Sequence, residues 1–211
     1  LGIQGKYDEA IEAFDRAIKI NPQDAIAWSN KGYAFGLLGK FDEAIKAYDK
    51  AIEIKPQYAD AWCGKGTALG SQGKYEEAIE GFNRAIEINP QNAEAWYNKG
   101  IAFASQGKYG EAIEAFNKAI EFDPQYAEAW SNKGTALGSQ GKYDEAIKAC
   151  NRAIEINPQY ADAWSNKGIC LGIQGKYDEA IEAFDRAIEL NPKLEEAWYY
   201  KGIVLNSLDR I

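Results

Sequence analysis

The sequence predicts an all-α protein, an α-solenoid of tandem two-helix modules, each 34 residues long. Proline recurs at Pro22, Pro56, Pro90, Pro124, Pro158 and Pro192, and tryptophan at Trp28, Trp62, Trp96, Trp130, Trp164 and Trp198. Both series step by 34 residues, an interval typical of stacked repeats in which each unit covers the apolar face of the next. Between these markers apolar residues fall three and four apart, the spacing of helices rather than strands.

With Ala25 as position 1, whole repeats occupy 25–58, 59–92, 93–126, 127–160 and 161–194. Partial repeats at 1–24 and 195–211 complete one expected array over 1–211. In the first helix, positions 4, 7, 8 and 11 share one side at about 100° per residue, which turns Trp130, Gly134 and Leu137 toward the second helix. That helix answers with Tyr143, Ala146, Ile147, Cys150, Ala153 and Ile154. Glycine at position 8 (Gly32, Gly66, Gly100, Gly134, Gly168, Gly202) costs about 1 kcal/mol against alanine in a helix interior. Close approach of the two backbones, opposite an alanine such as Ala146, offsets that cost. Gly141 and its equivalents allow the turn between helices. Asn-Pro pairs such as Asn157-Pro158 end a repeat, because the residue before proline resists helical geometry. Paired acids such as Asp144-Glu145 open the second helix, where the dipole favours negative charge.

In the first whole repeat, Trp28, Gly32, Phe35, Ala44, Tyr48, Ala51 and Pro56 stand where tetratricopeptide repeat (TPR) proteins carry their signature residues. The chain resembles that family over its entire length, and the resemblance implies a right-handed superhelix. One departure is consistent: the family usually has leucine at position 7, and here every copy is lysine (Lys31, Lys65, Lys99, Lys133, Lys167, Lys201). Such a stem is expected to lie over apolar neighbours while the ammonium reaches water or a carboxylate, with Glu145 one candidate partner for Lys133. The tryptophans are expected to be buried, so that Trp→Ala costs about 3–5 kcal/mol.

Composition narrows the function. A formal charge of −8 argues against nucleic acid as a partner, and the absence of histidine removes the usual general base and the commonest metal ligand. No catalytic, metal or cofactor site is expected. The pairs Gly39-Lys40, Gly73-Lys74 and Gly141-Lys142 are followed by an aromatic residue where a phosphate loop needs Ser or Thr, so they read as turns. The stretch 64–70, GKGTALG, lacks the strand-then-helix context of a dinucleotide site. Cys63, Cys150 and Cys170 fit neither a disulfide framework nor a zinc spacing and read as buried thiols in a reducing cytosol, with Cys150 and Cys170 as near neighbours. No apolar run approaches membrane-spanning length and no signal peptide is visible, so a cytoplasmic location without a membrane partner is expected. The lack of methionine and the start at Leu1 suggest a fragment.

Positions 2, 6, 9 and 13 lie within about 60° of one another, opposite the packed side of the first helix. Position 6 holds Asn30, Asn98, Asn132 and Asn166, interrupted by Gly64 and Tyr200. A ladder of carboxamides can hold the main chain of an extended peptide without reading its side chains. Similar ladders occur in the repeat domain of O-linked N-acetylglucosamine transferases, which this array resembles. A polar residue on a wet face is an equally good account of the same asparagines. Position 2 supplies Asp60, Glu94, Glu128, Asp162 and Glu196, which either select a basic ligand or, as their place early in a helix favours, stabilise its N-terminus. Tyr33, Tyr97 and Tyr199 add aromatic area in the groove or on its flank.

Some TPR domains clamp acidic chaperone tails with Lys and Arg on the first helices, but positions 2, 5 and 9 carry neither here. The leading expectation is therefore a non-enzymatic protein-interaction scaffold for an extended neutral or basic peptide. Two alternatives stand beside it. One is head-to-tail self-association, with Trp198, Tyr199, Ile203, Val204 and Leu205 exposed on the last helix and Tyr7, Ile11, Phe14 and Ile18 on the first. The other is the targeting arm of a larger enzyme such as a glycosyltransferase.

Overall fold

The computed structural model describes residues 2–208, and side chains from Lys6 onward. Among the described residues there are twelve helices and no strand. In chain order they are α1 (Gly2–Ile20), α2 (Ala25–Leu37), α3 (Phe41–Ile54), α4 (Ala59–Ser71), α5 (Tyr75–Ile88), α6 (Ala93–Ser105), α7 (Tyr109–Phe122), α8 (Ala127–Ser139), α9 (Tyr143–Ile156), α10 (Ala161–Ile173), α11 (Tyr177–Leu190) and α12 (Glu195–Leu208). The chain forms two compact units, residues 1–106 with α1 to α6 and residues 107–211 with α7 to α12. In the first unit α2 packs on α3 and α4 on α5, while α1, α3 and α5 also pack on the first helix of the following repeat. The second unit repeats this, with α8 on α9, α10 on α11, and α7, α9 and α11 each against the next first helix.

The first helices α2, α4, α6, α8 and α10 each stop at a glycine. Gly39, Gly73, Gly107, Gly141 and Gly175 have φ between 71° and 77°, a left-handed conformation that costs glycine almost nothing. The Lys40 N–H then reaches back to the Phe35 carbonyl at 3.0 Å, a Schellman closure repeated by Lys74 on Leu69, Lys142 on Leu137 and Lys176 on Leu171. At the far end of the second helices, Asn21, Asn89, Asp123, Asn157 and Asn191 accept an N–H two residues on, fixing the turn around the proline.

Gly32, Gly66, Gly134 and Gly168 are explained by what lies under them. A Cβ on Gly134 would stand 2.6 Å from Cys150 Sγ and 3.2 Å from the Ala146 carbonyl oxygen; on Gly66 it would stand 2.7 Å from the Phe82 ring. At Gly32, Gly66, Gly134 and Gly168, position 8 is thus the hollow that receives the position 24 side chain. Around these contacts the first unit gathers its core on Tyr48 and Phe82, and the second on Phe184 and on the smaller set Leu137, Ala146, Ala149 and Cys170.

Two expectations need correction. The tryptophans are half-buried at the edge of these clusters, and Trp198 is 52 % exposed. Each indole Nε1 donates to the carbonyl of the proline six residues earlier, for instance Trp62 to Pro56 at 3.0 Å and Trp130 to Pro124 at 3.2 Å. An indole must keep that polar edge at the chain turn, so it seals the end of the repeat rather than filling its centre. At the termini, Ile11 and Ile18 are buried and Tyr7 and Phe14 half-buried, because α1 packs on α2. Val204 is also buried, its Cγ2 lying over Gly172. The exposed apolar face at the termini is therefore confined to Trp198, Tyr199, Ile203 and Leu205 of α12 among the residues expected there.

The lysines at position 7 lie over their own tryptophans, with Nζ 4.9 Å from the Trp130 ring centroid for Lys133 and 5.0 Å from Trp96 for Lys99. Their ion partner is an aspartate at position 25 of the preceding repeat: Lys31 pairs with Asp15, Lys65 with Asp49 and Lys201 with Asp185. Asn83 and Asn117 stand at the corresponding place before Lys99 and Lys133, and burial holds both ammonium groups below the usual lysine range. The field of Glu145 offsets part of that shift at Lys133.

Candidate peptide-binding clefts

Among the described residues, clefts open on the predicted inner face of the first helices, and three of these clefts are built alike. In the first unit a cleft of about 280 Å³ lies between α4 and α6, walled by Thr67, Ser71, Asn98 and Ile101 and floored by Tyr75 and Phe82 of α5. A second in the same unit, about 200 Å³, lies between α2 and α4 and includes Tyr33, Leu37, Gly64 and Glu94. In the other unit a cleft of about 280 Å³ between α8 and α10 takes Thr135, Ser139, Asn166 and Ile169, with Glu196 and Tyr200 of α12 at its border. Positions 6, 9 and 13 contribute to all three.

The asparagines divide by repeat. Asn98 and Asn166 line clefts, Asn132 is half-buried on α8, and Asn30 lies exposed on α2. Asn166 Nδ2 donates to Ser131 Oγ at 3.2 Å, and Asn98 Nδ2 makes a longer contact, 3.9 Å, with Cys63 Sγ. Both partners occupy position 5 of the preceding repeat and are buried, Cys63 to 5 % and Ser131 to 1 % exposure. One amide hydrogen thus ties neighbouring first helices together, and the carboxamide still has a second N–H and an acceptor oxygen for a ligand.

Aromatic and acidic candidates are placed less uniformly. Tyr33 lines a cleft and is 62 % exposed. Tyr97 is half-buried on α6, and Tyr199 is exposed and meets Tyr200 edge to face with ring centroids 5.3 Å apart. Asp60, Glu94, Glu128 and Asp162 are all exposed. Side-chain capping falls instead to the residue before the helix, Asp24 accepting from the Ile26 and Ala27 N–H groups and Asn92 from that of Ala95. Residue-by-residue reading missed the apolar walls Ile101, Ile169 and Ile173 and the floors Tyr75 and Tyr143. The signal for the isoleucines was present, since they occupy positions 9 and 13 of the same face.

The thiols offer no reactive group at the clefts. Burial pushes Cys63 and Cys150 up to about 12 and Cys170 to about 11, with the neighbouring Cys170 adding to the shift at Cys150. Among the described residues no group of three or more His, Cys, Asp or Glu is placed to hold a metal ion, and no helix is long and apolar enough to cross a membrane.

Family comparison agrees with the repeat geometry: the tetratricopeptide repeat family matches residues 4–59, 63–127, 127–160 and 161–194. The chain belongs to the tetratricopeptide repeat family. Among solved structures this TPR protein is similar to YrrB, described as a TPR protein with an unusual peptide-binding site, at 28% identity and TM-score 0.70 over 91% of this chain and 99% of YrrB. It is similar to MamA at 30% identity and TM-score 0.69, over 77% of this chain and 95% of MamA. PilW, a type IV pilus biogenesis factor, shares the TPR fold at 23% identity, with TM-score 0.83 over 94% of this chain and 92% of PilW. No curated protein matches the chain.

Proposed function

We propose that this TPR protein is a non-enzymatic scaffold that holds an extended neutral or basic peptide segment in the clefts of its first helices. The observation that carries this reading is the recurrence of positions 6, 9 and 13 as cleft walls in successive repeats. A periodic ligand, an extended main chain, suits a periodic wall, and Asn98 and Asn166 supply carboxamides for it. The carboxylates Asp60, Glu94, Glu128, Asp162 and Glu196 oppose an acidic ligand. YrrB, with its peptide-binding site, supports the same reading.

The test is a peptide array spanning acidic, neutral and basic extended segments, repeated with the triple variant Asn98→Ala, Asn132→Ala, Asn166→Ala. Loss of one ligand hydrogen bond per cleft lowers affinity about fivefold. Acidic segments binding as well as basic ones would remove the electrostatic part, and an unchanged triple variant the carboxamide part. A second reading, head-to-tail self-association, draws on the exposed Trp198, Tyr199, Ile203 and Leu205. Sedimentation of the chain at several concentrations decides it, a monomer throughout counting against it.

A further inference from the structure

The asparagine series is broken at Gly64, and the cause lies beneath it. Position 24, where other repeats carry Phe82, Phe116, Cys150 and Phe184, is Tyr48 in the first whole repeat. Its longer ring runs under α4: a Cβ on Gly64 would stand 2.4 Å from Tyr48 Cζ and 2.6 Å from its hydroxyl oxygen. An asparagine there would push the phenol aside. Glycine at this one place leaves the cleft of about 200 Å³ open down to the phenol. Leu37 and Phe41 form apolar walls, the exposed Tyr33 ring stands at the mouth, and the exposed Glu94 carboxylate borders it. No cation is among the lining residues. Burial, chiefly, with the fields of Cys63, Tyr33 and Glu94, pushes the Tyr48 phenol well above the ordinary tyrosine range, so it presents a neutral hydroxyl.

An apolar-walled recess that ends in a neutral hydroxyl and is edged by a carboxylate and an aromatic face matches a side chain with an aliphatic stem and a planar cationic head. We propose that the Gly64 notch is a specificity pocket for an arginine of the bound segment, its guanidinium against the Tyr33 ring and donating to Glu94 and to the Tyr48 hydroxyl oxygen. Arginine is preferred to lysine because its planar fork both stacks on a ring and donates to two acceptors at once. The proposal rests on the peptide reading of the clefts and adds to it a residue preference at one site.

A displayed library of random seven-residue peptides, flanked at both ends so that no terminus is free, is selected on the wild-type chain, on Glu94→Gln and on Tyr33→Ala. Both substitutions fall on exposed side chains and leave the core intact. The wild type is expected to enrich arginine at one fixed position, and replacing it by citrulline in a synthetic binder weakens binding about tenfold. In Glu94→Gln that penalty shrinks to about twofold, and Tyr33→Ala weakens the arginine peptide more than its citrulline counterpart. Selected peptides without a fixed arginine, or a citrulline penalty unchanged in Glu94→Gln, overturn the notch assignment and leave the peptide-groove reading standing. Selection of no peptide by any of the proteins removes both.

Discussion

Lys133 shows how one side chain reconciles burial with charge. Its stem and ammonium cover the Trp130 ring, and the indole in turn ties the α8 start to the Pro124 carbonyl. Truncating Trp130 removes packing, a cation–π contact and a hydrogen bond together. Because the ring is only half-buried, Trp130→Ala is expected to cost about 2–3 kcal/mol, less than the roughly 3–5 kcal/mol of a fully buried aromatic. Trp130→Phe isolates the lost hydrogen bond at about 1 kcal/mol, both read from guanidinium unfolding. A Trp130→Phe variant as stable as the wild type would mean that the bond to Pro124 contributes nothing. The sequence showed that lysine would snorkel but not where its ammonium would go. Glu145 was one candidate for Lys133 and its field does act there, whereas the ion pairs that form at Lys31, Lys65 and Lys201 use position 25 of the preceding repeat. That choice depends on inter-repeat packing, which no single-helix wheel contains. The thiols make a prediction of their own. Folding raises Cys63, Cys150 and Cys170 above the ordinary value of 9.0, so the neutral thiols favour the folded state below pH 9.0, and that contribution is lost as pH rises toward 11 to 12. Melting temperature is expected to fall between pH 8 and pH 11, with native thiols unreactive to a disulfide reagent at pH 8. Rapid labelling of the folded chain at pH 8 would contradict the burial.

At the scale of the helix, the same letter in the repeat has opposite meanings. Gly134 and Gly202 both occupy position 8, but a Cβ at Gly134 meets Cys150 Sγ at 2.6 Å, while at Gly202 nothing lies within 4 Å. Gly202→Ala is therefore expected to stabilise α12 by about 1 kcal/mol through helix propensity, whereas Gly134→Ala destabilises by forcing the sulfur and the α9 backbone aside. Thermal unfolding followed by circular dichroism checks both signs, and a destabilised Gly202→Ala would show that α12 has a packing partner at that face. A second lock between helices is equally irregular. Gln72, Gln106 and Gln174 donate to Asp42, Glu76 and Asp144 of the preceding repeat, at 2.8, 2.6 and 2.8 Å. Gly110 holds the acid's place opposite Gln140, with that amide nitrogen 3.7 Å from where a Cβ would sit. Periodicity made the helices, their turns and the glycine-alanine seam legible, because these follow from spacing within 34 residues. The locks stayed hidden because they join residues 30 apart through side chains whose reach depends on how closely successive helices stack.

For the whole molecule, the repeat organisation sets both stability and recognition. Where helices touch only near neighbours in sequence, stability is a sum of local terms, and the least-covered helix opens first. In α12 the buried residues are Ala197 and Val204, against six in α10, so amides of α12 are expected to exchange fastest among the described helices of the second unit. The inner face was readable as a face, since positions 2, 6, 9 and 13 follow from helix geometry. Its division into separate clefts was not, because Tyr48, Phe82 and Tyr143 rise from the second helices to floor them. On the proposed peptide reading, the net charge of −8 and the exposed position 2 carboxylates attract a basic segment through a field that salt screens over about 10 Å at 0.1 M. Hydrogen bonds to the carboxamides and apolar contact with Ile101 and Ile169 act at short range and respond little to salt. Association of a basic peptide is therefore expected to slow about tenfold between 0.02 and 0.5 M salt while its dissociation rate changes about twofold at most, as stopped-flow fluorescence from the tryptophans would report. An association rate independent of salt would assign recognition to shape alone and take the acidic residues out of it.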